Sequence, residues 1–131
     1  MSTKKDKFSL KEKKFMRVAI NLAKARQGLT GENPSVGCVL VKNDRIISIG
    51  QTGYGGRPHA ETNAINSSLE NLNGAKMYVT LEPCNHYGKT PPCTNSIIKS
   101  GIKEVFYSIN DIDKKVRGKS FKILNKQNIK V

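Results

Sequence analysis

Four side chains of this 131-residue sequence have the types and the order that a zinc site needs, namely His59, Glu61, Cys84 and Cys93. An imidazole and two thiolates can hold one zinc ion and leave a fourth coordination position open for water. Zinc in an open site of this kind lowers the pKa of that water toward neutrality. Glu61 lies two residues after the histidine, where a carboxylate can accept and return protons. We therefore expect one zinc per chain, held by His59, Cys84 and Cys93, with Glu61 as the catalytic acid and base.

Each of these residues also has an ordinary structural explanation. His59 could be a satisfied loop histidine, Glu61 an exposed helical carboxylate, and the two cysteines buried thiols. The order of the four residues and the proline before Cys84 favour a joint role over these separate explanations. A closed structural zinc site would need a fourth protein ligand. The only other histidine is His86, and the remaining cysteine, Cys38, lies in an apolar run where we expect it to pack in the core.

Length and composition indicate one globular domain over residues 1–131. A chain of this size can bury one core and is too short for two. The sequence contains no run of about 18 apolar residues, so we expect no membrane span. Three cysteines, an odd number, argue against a disulfide framework. In a reducing compartment these thiols are free to serve as ligands. Residues 1–7 are polar and basic, and no apolar signal-peptide region follows them, so we expect a cytoplasmic protein.

The net charge of +13 is the unusual feature of the composition. Clustered basic side chains can neutralise nucleic-acid phosphates. The lysines here are spread along the whole chain, and aromatic residues do not interleave with them. We therefore expect solvated basic faces rather than a nucleic-acid partner, and a small phosphorylated substrate is compatible with either explanation.

Apolar patterns of strand and helix type alternate along the chain, and Asn43–Asp44 marks a turn between the first two strands. This alternation predicts an α/β fold, a three-layer αβα sandwich whose mixed sheet has about five strands. The predicted helices cover Ser9 to about Gln27, His59 to about Leu72, about Pro92 to Ser100, and 118–126. The predicted strands cover Val36–Val41, Ile46–Ile49, Lys76–Leu81, Val105–Ile109 and Ile129–Val131.

The first predicted helix has both a start signal and a core face. Ser9 followed by Glu12 has the form of a capping box. Phe15, Ala19 and Leu22 fall at helical spacing, so we expect them to face the core.

Two predicted helix N-termini carry the candidate zinc ligands. His59 lies at or just before the first turn of its helix, and Cys84 and Cys93 bracket a loop that enters another helix at its N-terminus. Partial positive charge at helix N-termini favours thiolate over thiol. The arrangement therefore strengthens the two cysteines as ligands.

The segment 82–93, EPCNHYGKTPPC, resembles the signature of the pyrimidine deaminases of bacterial riboflavin biosynthesis, because eight residues separate its cysteines. Residues 33–39, NPSVGCV, resemble the N-terminal motif of that family, and residues 56–61, GRPHAE, resemble its zinc motif. The resemblance covers about residues 15–131. It implies a cytidine deaminase-like fold and zinc-dependent hydrolytic removal of the 2-amine from 2,5-diamino-6-(5-phosphoribosylamino)pyrimidin-4-one.

The resemblance also implies the contacts of a small phosphorylated pyrimidine substrate. Asn33 matches the ring-binding position, although it could equally be a turn residue before a proline. Thr52 stands where many members have a substrate-contacting histidine. His86 and Lys89 match positions that contact the base or the ribose phosphate, and a lysine suits a phosphate dianion. Asp111 matches an aspartate after the fourth strand, where strand ends commonly line a ligand crevice.

Two departures from the family pattern concern the end of the chain. Residues 112–114 read Ile-Asp-Lys where the family usually has Pro-Asn-Pro, and Asp113 would be unusual beside a phosphorylated ligand. Many members continue into an NADPH-dependent reductase domain, which this sequence lacks, so the reductase could be a separate polypeptide or the sequence could be a fragment. The resemblance further implies a homo-oligomer.

Two other functions remain open. One is deamination of transfer-RNA adenosine or of a free nucleoside or nucleotide; base-flipping relatives usually have C-x-x-C, which argues against it. The other is a zinc-stabilised binding module without catalysis. Glu61 argues against that module, because a purely structural site does not need the carboxylate.

Overall fold

A capping box starts the first helix, as the sequence predicts. The structure is a computed structural model and describes residues 8–81 and 93–107. The hydroxyl of Ser9 accepts a hydrogen bond from the amide of Glu12 (3.1 Å), and the amide of Ser9 donates to the Glu12 carboxylate (2.8 Å). The two bonds satisfy backbone donors that the first turn leaves without a partner. Helix α1 then spans Leu10–Ala25.

The described residues form a mixed sheet, which confirms the predicted fold class. The order of its four strands is β2-β1-β3-β4; β1 is antiparallel to β2 and β3, and β3 is parallel to β4. The predicted strand at 129–131 and the predicted helix at 118–126 lie outside the described residues. The elements after α1 are β1 (Gly37–Lys42), β2 (Arg45–Gln51), a single 3-10 turn (Tyr54–Gly56), α2 (Ala60–Ser67), β3 (Lys76–Val79), α3 (Cys93–Ser100) and β4 (Glu104–Tyr107).

The turn between β1 and β2 has the conformation that its sequence predicts. Asn43 and Asp44 both have positive φ, 54° and 59°. A two-residue hairpin of type I′ needs positive φ at both central positions, and Asn and Asp tolerate it better than most side chains. The turn pairs Lys42 with Arg45 and so fixes the start of the hairpin register.

Helices cover both faces of the sheet and make the three layers. α1 covers one face with a fully buried Ala19, and the partly buried Phe15 and Leu22 pack beside it, as predicted. α2 and α3 cover the other face. The buried side chains of that second face include Cys38, Leu40, Ala60, Ala64, Met77, Val79 and Ile97.

α1 lies directly on the backbone of β1. A Cβ placed on Gly37 would lie 1.9 Å from the carbonyl oxygen of Ala19, so no side chain fits there. A glycine in a strand often marks such a close approach of another backbone.

α2 is shorter than the sequence predicts, since it ends at Ser67 rather than near Leu72. The backbone of Ser68 is already extended (φ −73°, ψ 131°). The hydroxyl of Ser68 accepts a hydrogen bond from the amide of Glu70 (3.2 Å), which offers the chain a local alternative to another helical turn. Leu72 instead lies in the connection between α2 and β3, and its side chain packs in the core.

No helix among the described residues is both long and apolar enough to cross a membrane.

Candidate metal and catalytic site

The N-termini of α2 and α3 bring His59 and Cys93 together. His59 is the N-cap of α2, with an extended backbone (φ −68°, ψ 157°) that turns the chain into the helix. Cys93 is the first residue of α3 and is only 2% exposed. The Nδ1 atom of His59 lies 3.4 Å from the Sγ atom of Cys93.

This distance fits two ligands of one tetrahedral zinc ion. Zinc–nitrogen and zinc–sulfur bonds of ordinary length, set at a tetrahedral angle, separate the two ligand atoms by about 3.5 Å. Within residues 8–81 and 93–107, no three His, Cys, Asp or Glu side chains lie close enough together to form a metal site. The predicted third ligand, Cys84, lies outside the described residues.

Glu61 is buried at the same end of α2. Its side chain belongs to the second helical residue, and the residue is only 4% exposed. Its charge reaches Cys38: burial of the thiol and, secondarily, the negative charge of Glu61 raise the pKa of Cys38 well above its ordinary value. Cys38 is fully buried and packs in the core of the sheet face that α2 and α3 cover, as predicted.

Gly50 sets how deeply α2 lies on the sheet. A Cβ at this position would lie 2.3 Å from the carbonyl oxygen of Ala60 and 2.5 Å from the amide nitrogen of Ala64. Gly50 is also the cross-strand partner of Cys38. The peptide between His59 and Glu61 therefore packs directly on β2. Sequence analysis missed this residue, because the predicted strand ends at Ile49, whereas β2 continues through Gly50 to Gln51. A glycine within a strand is a signal of close backbone approach.

Thr52 makes its hydrogen bonds with the backbone of the loop before β1. Its hydroxyl accepts from the amide of Val36 (2.9 Å) and lies 3.2 Å from the carbonyl oxygen of Pro34, to which it can donate. The residue is 1% exposed. These bonds use the hydroxyl proton and one of its two lone pairs, so the side chain holds the loop before β1. Its contact with substrate stays a prediction.

Asn33 joins two loops beside the site. Its side-chain nitrogen donates to the carbonyl oxygen of Gly56 (2.9 Å), and its own carbonyl oxygen accepts from the hydroxyl of Thr30 (2.7 Å). Gly56 has a φ of 102°, and a Cβ there would lie 2.7 Å from the Asn33 amide nitrogen. The loop before β1 and the loop before His59 are therefore fixed to each other.

The other predicted substrate residues, His86, Lys89 and Asp111, lie outside the described residues.

Comparison of the sequence with known protein families identifies a match over most of the described residues. Residues 9–109 match the family model described as the cytidine and deoxycytidylate deaminase zinc-binding region. The chain belongs to this deaminase family.

Several members of the deaminase family are similar to the chain over most of its length. The diaminohydroxyphosphoribosylamino-pyrimidine deaminase of Buchnera aphidicola subsp. Schizaphis graminum is 47% identical over 122 residues, which is 93% of this chain and 83% of the relative. The riboflavin biosynthesis protein RibD of Aquifex aeolicus is 45% identical over 120 residues, which is 92% of this chain. The chain spans only 34% of that relative's length.

Solved structures of the deaminase family show the same fold. A diaminohydroxyphosphoribosylaminopyrimidine deaminase and 5-amino-6-(5-phosphoribosylamino)uracil reductase from Thermotoga maritima is 46% identical, with a TM-score of 0.85 over 92% of this chain and 35% of that chain. A dCMP deaminase from the cyanophage S-TIM5 is 23% identical, with a TM-score of 0.69 over 92% of this chain, and shows likeness of fold alone. The expected cytidine deaminase-like architecture is confirmed.

Proposed function

We propose that this chain removes the 2-amine of 2,5-diamino-6-(5-phosphoribosylamino)pyrimidin-4(3H)-one by zinc-dependent hydrolysis, in riboflavin biosynthesis. The observation that carries the proposal is the 3.4 Å approach of His59 Nδ1 to Cys93 Sγ, with the buried Glu61 two residues away on the same helix. The name of the Buchnera relative, at 47% identity over 93% of this chain, supports the substrate.

His59, Cys84 and Cys93 would hold the zinc ion. Both helix N-termini place partial positive charge beside the sulfur of Cys93, which favours its thiolate form. When bound, zinc supplies the acidity that makes water a nucleophile near neutral pH.

Glu61 would move the protons of the reaction. It takes one proton from the attacking water as the new carbon–oxygen bond forms, and it passes that proton to the neighbouring ring nitrogen. It then takes the second proton to the departing amine as the carbon–nitrogen bond breaks, so that ammonia leaves. A positioned carboxylate of this kind contributes about 100-fold to 10,000-fold in rate. Burial of Glu61 keeps its exchange of protons within the site.

Asn33 would orient the pyrimidine ring. Because its amide nitrogen already donates to the carbonyl of Gly56, the side chain would present its oxygen to a ring N–H or amine of the substrate. Lys89 would bind the phosphate as a point charge, and His86 and Asp111 would complete the contacts. Thr52 would hold the loop that carries Asn33.

The same proposal includes the setting of the enzyme. We infer a homo-oligomer in the cytoplasm and a reductase activity, fused or separate, that consumes the product. The name of the bifunctional Thermotoga relative supports the reductase.

Ammonia release from the purified, zinc-loaded chain tests the substrate. The diaminopyrimidine phosphate, dCMP and adenosine-containing transfer RNA are offered separately at equal concentration. We expect turnover of the diaminopyrimidine phosphate. Turnover of dCMP or of transfer RNA, with none of the diaminopyrimidine, would overturn the proposal in favour of another deaminase. Zinc binding with no turnover of any of the three would favour a binding module.

A further inference from the structure

Asn63 lies on α2, one turn after His59, and its side chain points back at the loop that leads into the helix. Its Nδ2 atom lies 2.6 Å from the carbonyl oxygen of Gln51 and 3.4 Å from the carbonyl oxygen of Pro58. Gln51 is the last residue of β2, and Pro58 immediately precedes His59. One side-chain amide therefore reaches both ends of the loop 52–57.

The ends of this loop are also held together by the backbone. The amide of Gly53 donates to the carbonyl oxygen of Pro58 (2.9 Å). A Cβ at position 53 would lie 2.2 Å from the carbonyl oxygen of Arg57, so the two sides of the loop are in close contact at this point. The two residues that flank the loop, Gln51 and Pro58, therefore lie close together, and we call this point the neck of the loop. The side chain of Asn63 bridges the neck.

The chemistry of the neck matches asparagine. A primary amide has two N–H donors, and the neck offers two carbonyl oxygens, those of Gln51 and Pro58. Aspartate at the same place would bring a charged acceptor against two acceptors, and serine would supply one donor. Alanine would supply none.

The neck bears on the candidate site from two sides. Pro58 is bonded directly to His59, and Thr52 and Gly56, within the loop, hold the backbone around Asn33. A change at the neck is therefore transmitted both to the histidine ligand and to the loop proposed to contact the ring.

We infer that Asn63 is a positioning residue, which sets the orientation of His59 by holding both ends of the loop 52–57. The inference rests on the proposed function for the zinc ion at His59 and for turnover of the substrate. Its effect on zinc retention needs no substrate, and its effect on the loop itself needs neither zinc nor substrate.

Asn63→Asp in the full chain tests the inference, and Asn66→Asp is its matched control. Asn66 is exposed on the same helix, so the control makes the same change of charge away from the neck. Zinc release to a colorimetric chelator and the kcat and KM for the diaminopyrimidine phosphate are measured for each variant. Substitution of a residue that orients a metal ligand typically lowers metal affinity or activity by about 10-fold to 100-fold. We expect Asn63→Asp to release zinc at least about tenfold faster and to lose kcat more than it raises KM, with Asn66→Asp within about twofold of wild type.

Amide hydrogen exchange of the metal-free protein supplies a readout apart from activity. We expect faster exchange over residues 52–58 in Asn63→Ala, with unchanged exchange in β1 and β3. If Asn63→Asp does not fold, Asn63→Ala and Asn63→Ser replace it, and serine should fall between alanine and wild type.

Equal zinc release in the Asn63 variants, Asn66→Asp and wild type would overturn the inference, as would unchanged exchange over residues 52–58. A wild-type protein that holds zinc but does not turn over the diaminopyrimidine phosphate would overturn the proposed function alone. In that case, faster zinc release from Asn63→Asp would still support the positioning role.

Discussion

The Nδ1 atom of His59 lies 3.4 Å from the Sγ atom of Cys93, a residue 34 positions later in the chain. Neither side chain could bring this about alone, because each is fixed at the start of a different helix. The two helices cover the same face of the sheet and share its buried core. The fold therefore places an imidazole and a sulfur at the spacing that a tetrahedral metal requires.

Glu61→Gln should separate catalysis from metal binding. Glutamine keeps the size of the side chain but cannot accept a proton from water, so kcat should fall by at least about 100-fold. Zinc should stay near one per chain, as measured by elemental analysis. Glu70→Gln is the control, because Glu70 lies on the surface in an exposed ion pair with Arg45 (3.4 Å). Unchanged turnover in Glu61→Gln would show that another group moves the protons.

Gly50→Ala should damage the site through the backbone of α2. The added methyl group would overlap the carbonyl oxygen of Ala60, so the helix must move away from β2. We expect a loss of about 1–3 kcal/mol in the free energy of unfolding, together with a lower kcat per zinc-loaded molecule. Gly37→Ala displaces α1 on the opposite face and should lower stability without the same fall in kcat. Equal kcat values in the two variants would contradict a special role for Gly50.

Thr52→Val should weaken the loop before β1. Valine has the shape of threonine without its hydroxyl, and the buried amide of Val36 would lose its acceptor. Leaving such a donor unsatisfied costs about 1–3 kcal/mol, which chemical denaturation can measure. Thr52→Ser keeps the hydroxyl and should keep most of the stability. If Thr52→Val raised KM strongly while stability stayed unchanged, the hydroxyl would have to contact the substrate directly.

Cys38 should make stability depend on pH above neutrality. Burial and the charge of Glu61 raise its pKa well above the ordinary value, so the folded state holds the thiol proton more tightly than the unfolded state. The resulting stabilisation is complete below the unfolded pKa of about 8.5 and declines above it, by at most about 1.4 kcal/mol per pH unit.

Unfolding free energies of wild type and Cys38→Ala, measured from about pH 7 to about pH 10, test this dependence. The advantage of the wild type should shrink as pH rises. An advantage that stays constant across the range would show that the thiol of Cys38 loses its proton over the same pH range in the folded and unfolded states.

The sequence was sufficient where the deciding interactions are local. The Ser9 capping box and the Asn43–Asp44 turn each depend on residues within a few positions, and both form as predicted. The mixed sheet also follows from the order of apolar segments. The predicted end of α2 was wrong by five residues, because the hydroxyl of Ser68 accepts a hydrogen bond from the amide of Glu70 where the helical pattern continues only weakly.

Contacts between parts of the chain that are far apart in sequence could not be predicted from the sequence. A glycine in a strand signals close backbone approach, but the residues around Gly50 do not indicate that α2 is the element that lies on it. The bonds of Thr52 to the loop before β1 arise only when residues 34–36 fold beside it. The neck formed by Asn63 likewise joins parts of the chain that become neighbours only in the folded state.

Zinc content after a single cysteine substitution tests the central claim most directly. Protein purified without chelators is analysed for metal as wild type, Cys93→Ser and Cys38→Ser. The account predicts about one zinc per chain in wild type and in Cys38→Ser, and a large loss in Cys93→Ser, because a hydroxyl is a far poorer ligand than a thiolate. A wild type that carries no zinc, or a Cys93→Ser variant that retains all of it, would contradict the account.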